Sequence, residues 1–302
     1  MDQYQRAYWE MAFKARFLES KGMAFQNFFA EVMEKGYPYG DFLRVRPWGQ
    51  QGDRKNDGYL SSKRTLFQVY APNELKESVT ISKIEEDFTG ALPWWKEFFD
   101  TWVFVHNSRE GLSPGVTSCL LSLKKEQKDI SIQWWGFEEL RKELFKLDAH
   151  DIGAILGPAP MSRDFVNIGF DKIKPILDTV SRAKANLEVT LSTVPRDKVE
   201  INRLSENTEV LIQAGRRRSD VVDKFFAVYP DPQFGDDVVQ AFRQKYEHLR
   251  DAQLEPDRIF QELQKFAGGE AIGEPAQQAA VLTVLAYLFD RCDIFESIRK
   301  DK

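Results

Sequence analysis

The sequence predicts an α/β domain with a central mixed sheet, followed by an all-α domain. Three observations carry this prediction. Short β-branched and aromatic runs, Phe42–Arg46, Asn56–Leu60, Arg64–Ala71, Thr101–His106 and Ile130–Trp135, all fall in the first half of the chain. Helical patterns stand between the later runs, the order that makes strands parallel where a helix crosses over. Finally, GAILGPAPM, residues 153–161, concentrates glycine and proline, and beyond it the strand signal fades. The 302 residues suit two domains, placed at 1–155 and 156–302.

Each element has a local reason. Over residues 1–35 one or two helices are expected, because Phe25, Phe28, Phe29, Val32 and Met33 recur at helical spacing with Glu31 beside the stripe. Gly36, Pro38 and Gly40 break that helix. In Arg64–Ala71 the alternation puts Leu66, Gln68 and Tyr70 on one face and Phe67, Val69 and Ala71 on the other. Residues 75–100 return to a helix ending in the cluster Pro93, Trp94, Trp95, Phe98 and Phe99. TWVFVH, 101–106, reads as a buried strand. Helices follow at Ser118–Leu123 and Phe137–Leu147. In the second half, helices are expected over Phe170–Ala185, Arg196–Ser205, Glu206–Val228, Asp236–Asp251, Pro256–Phe266 and Pro275–Cys292. Leu187–Thr193 reads as a short strand or a loop.

Composition excludes several classes. At 42% hydrophobic and 29% charged the chain is globular, and no run approaches the ~20 apolar residues of a membrane span. MDQYQRAYWE has acid and aromatics where a signal peptide has a basic start and an apolar run. Two cysteines far apart, Cys119 and Cys292, rule out a cysteine-rich zinc site and suit a reducing cytoplasm. Cys292 reads as a buried small apolar residue. His106, His150 and His248 are scattered, which argues against a histidine-built metal site or triad. A net charge of −5 means that any DNA binding is local or partner-assisted. No GxxxxGK[ST] occurs, so ATPase activity would belong to a partner.

The segment that carries chemistry is GQQGDRKNDGYLSSKRTLFQVYAP, residues 49–72. Asp57 opens one strand, and its hairpin partner presents Gln68, Val69 and Tyr70. Oxygen ligands converging from such a pair can share one Mg²⁺ beside a scissile phosphate. Glu31, on the preceding helix, is placed to add a carboxylate, and Asp53 and Lys55 lie close by in sequence. The alternative reading makes Asp57-Gly58 a hairpin turn and Gln68 a cross-strand hydrogen-bonder.

Over about residues 20–150 this layout resembles the PD-(D/E)xK restriction-endonuclease-like family. The family pattern is an acid, then Glu or Gln, one residue, and Lys. Here Asp57 and Gln68 match, while Tyr70 stands at the lysine position. The resemblance implies Mg²⁺ (or Mn²⁺) held by Asp57, Glu31, Gln68 and the Val69 carbonyl. Catalytic residues would be Asp57, Gln68, Glu31, Tyr70 and Lys55, with DNA contacts from Arg54, Lys55, Lys63 and Arg64. Tyr70 cannot supply a fixed cation, so Lys55 or Lys83 is a candidate replacement.

GDRKNDGYL…FQVYAP, WVFVHN and WWGFEEL also look like the nuclease-type effectors of bacterial anti-phage loci. Phe234–Phe266 and AAVLTVLAYLFDRCDIFE, 279–296, resemble the C-terminal domain of ABC three-component systems, including Lamassu-type defence. The implied partners are DNA, an SMC-like ABC ATPase, a small middle protein and a second copy of the chain. The implied function is a metal-dependent DNA endonuclease effector, and the alternative is a catalytically reduced scaffold that binds DNA or docks the ATPase. Val281, Leu282, Val284, Leu285, Leu288 and Phe289 form an apolar helix, read as its own domain's core or as a partner interface. Arg216, Arg217 and Arg218 read as a phosphate grip, a contact for an acidic partner, or a solvated face. Trp94, Trp95, Trp134 and Trp135 read as packing anchors or base-stacking platforms.

Overall fold

The computed structural model describes residues 1–45, 54–181, 202–269, 274–291 and 293–295. Asp53, the strand or loop expected at Leu187–Thr193, residues 196–201 of the helix expected at Arg196–Ser205, and Cys292 lie outside the described residues. The chain divides into two compact units, one formed by Phe13–Leu156 and the other by Met1–Ala12 with Gly157–Lys302. The first combines a five-stranded sheet with helices, and the second is helical.

The elements of the first unit begin with α1 (Gln3–Glu19, shared with the second unit) and α2 (Gly22–Gly36). Then come β1 (Phe42–Arg44), β2 (Gly58–Leu60), β3 (Thr65–Tyr70), α3 (Glu77–Trp95) and β4 (Thr101–His106). α4 (Pro114–Glu126), β5 (Ser131–Trp135), α5 (Phe137–Leu144) and α6 (Ala149–Leu156) complete it. The strands lie in sequence order. β1, β2 and β3 form an antiparallel meander, with Gly58 opposite Phe67. β3, β4 and β5 run parallel, with Thr65 opposite Thr101 and Thr101 opposite Ser131. Helical crossovers α3 and α4 make those parallel neighbours possible.

Both faces of the sheet are covered, which explains the near-continuous apolar runs of β3 and β4. Phe67, Val69, Val103 and Val105 pack in one core with Phe25, Phe28, Phe29 and Met33 of α2 and Leu140 and Leu144 of α5. Leu66, Trp102, Phe104 and Ile132 pack in the other with Ile84 and Phe88 of α3 and Val116 and Leu120 of α4. The alternation read in β3 is the one observed, with Leu66 and Tyr70 on the α3 side. Asp57-Gly58 is not the hairpin turn. The turn is a 3₁₀ segment, Ser61–Lys63, closed by Arg64 in left-handed geometry at φ 44°. Gly58 lies within β2, where a Cβ would stand 2.8 Å from Phe42 Cε2 and closer still to Cζ of the same ring. Glycine is required there by the close approach of the ring.

In the second unit the elements are α7 (Ser162–Val166), α8 (Phe170–Ser181), α9 (Glu206–Arg216), α10 (Ser219–Val228), α11 (Phe234–Asp251), α12 (Pro256–Gln264) and α13 (Pro275–Asp290). Every residue of α13 from Gln278 to Phe289 is buried, so the apolar helix is the core of its own unit. Tyr4, Ala7 and Met11 of α1 belong to the same core. At its polar edge Asp257 is buried, accepting from Thr208 Oγ1 at 2.8 Å and from the Ser205 amide at 3.0 Å. The single helix expected over Glu206–Val228 is in fact two. Arg217 and Arg218 donate their amides to Ala214 and Gly215, three residues back, and these tight bonds turn the chain out of α geometry. Among the described residues no helix is long and apolar enough to cross a membrane.

Candidate functional site

Asp57 precedes β2 and engages β3 on either side of Gln68. Its amide donates to the Phe67 carbonyl at 3.0 Å, and its Oδ2 accepts from the Val69 amide at 2.7 Å. Gln26, from the first turns of α2, donates to Asp57 Oδ1 at 3.2 Å and to the Val69 carbonyl at 3.4 Å. The half-buried carboxylate is thus fixed at the end of the meander. Gln68 itself is buried and its Oε1 has no hydrogen-bond partner. Such an atom is uncommon in a folded interior, and Asn56, beside Asp57 in the chain, likewise leaves both of its side-chain polar atoms without a partner.

The other expected ligands are placed differently. Glu31 pairs with Arg16 at 2.7 Å, and Arg16 also lies over the Phe28 ring. Five residues separate Glu31 from Gln26, about 140° around α2 at 100° per residue. Glu31 therefore faces α1, while Gln26 faces Asp57. Tyr70 is partly buried, 6.1 Å from Phe104 centroid to centroid, as part of the α3-side core. Among the described residues no three of His, Cys, Asp and Glu gather as a metal cluster. Mg²⁺ is nonetheless commonly held by only one or two carboxylates, with waters and substrate phosphate completing the shell. Of the expected oxygen donors, Asp57 and the Val69 carbonyl meet at the Gln26 amide, while the alternation of β3 puts Gln68 on its α3 face with Leu66 and Tyr70.

The basic residues divide between two ends of the hairpin. Arg54 stacks 3.9 Å over Trp94, and its carbonyl accepts from Trp95 Nε1. Lys55 pairs with Glu86 and lies 3.2 Å from Asp87. Lys63 and Arg64 sit at the turn, about 13 Å along β3 from Gln68 at the rise of a strand. There Lys63 reaches the Tyr37 hydroxyl and Arg64 pairs with Asp100 at 2.7 Å, which holds the Asp100 carboxyl below the usual carboxylate range.

Sequence reasoning missed Gln26 and Asp87. Gln26 lies off the apolar stripe of α2 and looks solvent-facing. Asp87 lies within a run of exposed acids, Glu85 and Glu86, yet is fully buried. The arginine run is no free patch: Arg216 pairs with Asp290, Arg217 stacks on Tyr4 and Arg218 donates to the Val166 carbonyl. Trp135 packs 5.2 Å from Phe67 and Trp134 against the α3-side core, both as anchors.

Residues 171–296, which span α8 to α13, match the family model of C-terminal domain 10 of the ABC-three component (ABC-3C) systems. This match associates the chain with those defence-related systems and with their other components as partners. Neither a curated protein nor a solved structure matches the chain.

Proposed function

We propose that this chain is the effector of a Lamassu-type ABC-three component defence system and hydrolyses DNA phosphodiesters. The helical unit docks an SMC-like ABC ATPase and a small middle protein. The sheet-bearing unit is read as restriction-endonuclease-like. The observation that carries the reading is the pairing of Asp57 with the Val69 amide, one residue along β3 from the buried Gln68, whose side-chain oxygen has no partner. A meander followed by helix–strand–helix–strand supports it further. A bound Mg²⁺ (or Mn²⁺) would activate water and offset charge at the phosphate. Asp57 would supply the anionic ligand, with Gln26 and the Val69 amide fixing its orientation, and Gln68 a neutral oxygen.

The test is plasmid degradation by the full chain with its partner components, in Mg²⁺ or Mn²⁺ against EDTA. Metal-dependent cleavage that disappears in Asp57→Asn supports the reading. Cleavage that survives Asp57→Ala unchanged overturns it.

A second reading rests on Tyr70 and Glu31. With Tyr70 in the core and Glu31 paired to Arg16, the unit would be a catalytically reduced scaffold. Stable complex formation without cleavage under every condition above selects it.

A further inference from the structure

The helical unit holds a cleft of about 290 Å³ between α7, α8 and the start of α13, lined by Arg163, Asp164, Asn167, Ile168, Lys172 and Ala276. Arg163 is exposed and Lys172 half-buried, and among the described residues neither forms an ion pair. Other cations of the same unit do. Lys174 meets Asp178 at 2.6 Å, and Arg216 meets Asp290 at 2.6 Å. Lys172 and Lys174 stand two residues apart, about 200° around α8. One therefore serves a carboxylate of its own helix, while the other lines the cleft.

The nearby acids leave the two cations unmet. Asp164, the one carboxylate of the lining, turns its Oδ2 to the Met161 amide at 2.8 Å. Asp171 and Glu274 are exposed, lie outside the lining and pair with neither cation. The lining thus carries two positive charges against one negative. α13 starts here, with Ala276 in the lining and no side chain capping the helix, so the positive end of its dipole adds to the balance. Val166, three residues after Arg163 and so beside it on α7, is 57% exposed. Cations without a carboxylate of their own, next to an exposed apolar side chain, complement an acidic segment that also carries an apolar residue.

We propose that this cleft receives an acidic peptide segment of another component of the system, with a carboxylate bridging Arg163 and Lys172 and an apolar neighbour against Val166. Lys172 and Ala276 fall within the residues matched to the ABC-three component domain, and α7 lies just before them. The inference rests on the reading of the helical unit as the docking module and locates its surface.

The experiment measures association of the full chain with the other components of its system by titration calorimetry across a salt series, with the thermal midpoint of each variant alongside. Arg163→Glu/Lys172→Glu is expected to lose about tenfold in affinity at low salt, the scale of two partly exposed charge pairs. The loss should shrink as salt rises. Arg163→Lys/Lys172→Arg should bind like the wild type. Neither cation has an ion-pair partner inside the chain, so the reversed variant should keep the wild-type midpoint, which a purely structural role would lower. If the reversed pair fails to fold, Arg163→Gln alone should lose about threefold. Unchanged affinity in a folded variant overturns the proposal and leaves the docking reading standing. A wild-type chain that binds none of these components overturns both. Inorganic phosphate bound by the free chain as tightly as the components are, and lost in the reversed variant, assigns the cleft to a small anion and overturns the peptide.

Discussion

Gly215 of α9 packs against the Leu282 carbonyl of α13, and a Cβ at position 215 would also stand 2.8 Å from the Ala286 methyl. The two helices approach so closely only because position 215 carries no side chain. Gly215→Ala should therefore force the buried α13 aside, at a cost of about 1–3 kcal/mol typical of overpacking. The favourable helix propensity of alanine, up to about 1 kcal/mol, offsets only part of that. Thermal unfolding of the variant should show a lower midpoint, and an equal or higher one would contradict the packing argument.

His106 ends β4 in a buried position, and burial pushes its imidazole down to about 4. Its Nδ1 accepts from the Ser108 amide, as a neutral ring does. The unfolded chain takes up this proton near the ordinary 6.5, so it binds more protons than the folded chain between about 4 and 6.5. Stability from His106 is therefore complete above about 6.5 and is lost as pH falls toward 4, with an upper bound of about 3 kcal/mol. Urea midpoints at pH 7 and pH 5 should differ less in His106→Gln than in the wild type.

Much of the fold was legible because packing and pattern agree. TWVFVH became β4 over its whole length, and the split of Leu66 and Tyr70 from Phe67 and Val69 follows from a period of two with both faces covered. The break at Arg217 was not legible, since Gly215 and three arginines fit a helix pattern and only the hydrogen bonds of Arg217 and Arg218, three residues back, show where the chain turns. The site divides in the same way. Asp57 and Gln68 could be paired through hairpin logic. The partners of Glu31 and the burial of Asp87 depend on which helix faces which layer, and periodicity on one helix does not encode that.

Arg216 meets Asp290 with Nε 3.0 Å from both carboxylate oxygens. The side chains are 40% and 35% exposed, so solvent and salt weaken the pair. Arg216→Ala should cost no more than about 1 kcal/mol, and the loss should shrink as salt rises. Loss of cooperative unfolding in this variant would mean that the pair does more than join α9 to the end of α13.

Asp57 has two separable roles, and two substitutions divide them. Its Oδ2 holds the Val69 amide at 2.7 Å, so Asp57→Ala leaves that donor unpaired at a cost of about 1–3 kcal/mol. Asp57→Asn keeps an oxygen for the amide and should restore most of the melting temperature. A residue that only fastens the strand would regain every function with asparagine. A metal ligand would not, because the neutral amide removes the one anionic donor of the Asp57–Gln68–Val69 set. The expected result is a stable Asp57→Asn protein without Mg²⁺-dependent cleavage. Full cleavage by that variant would leave Asp57 as a strand fastener alone.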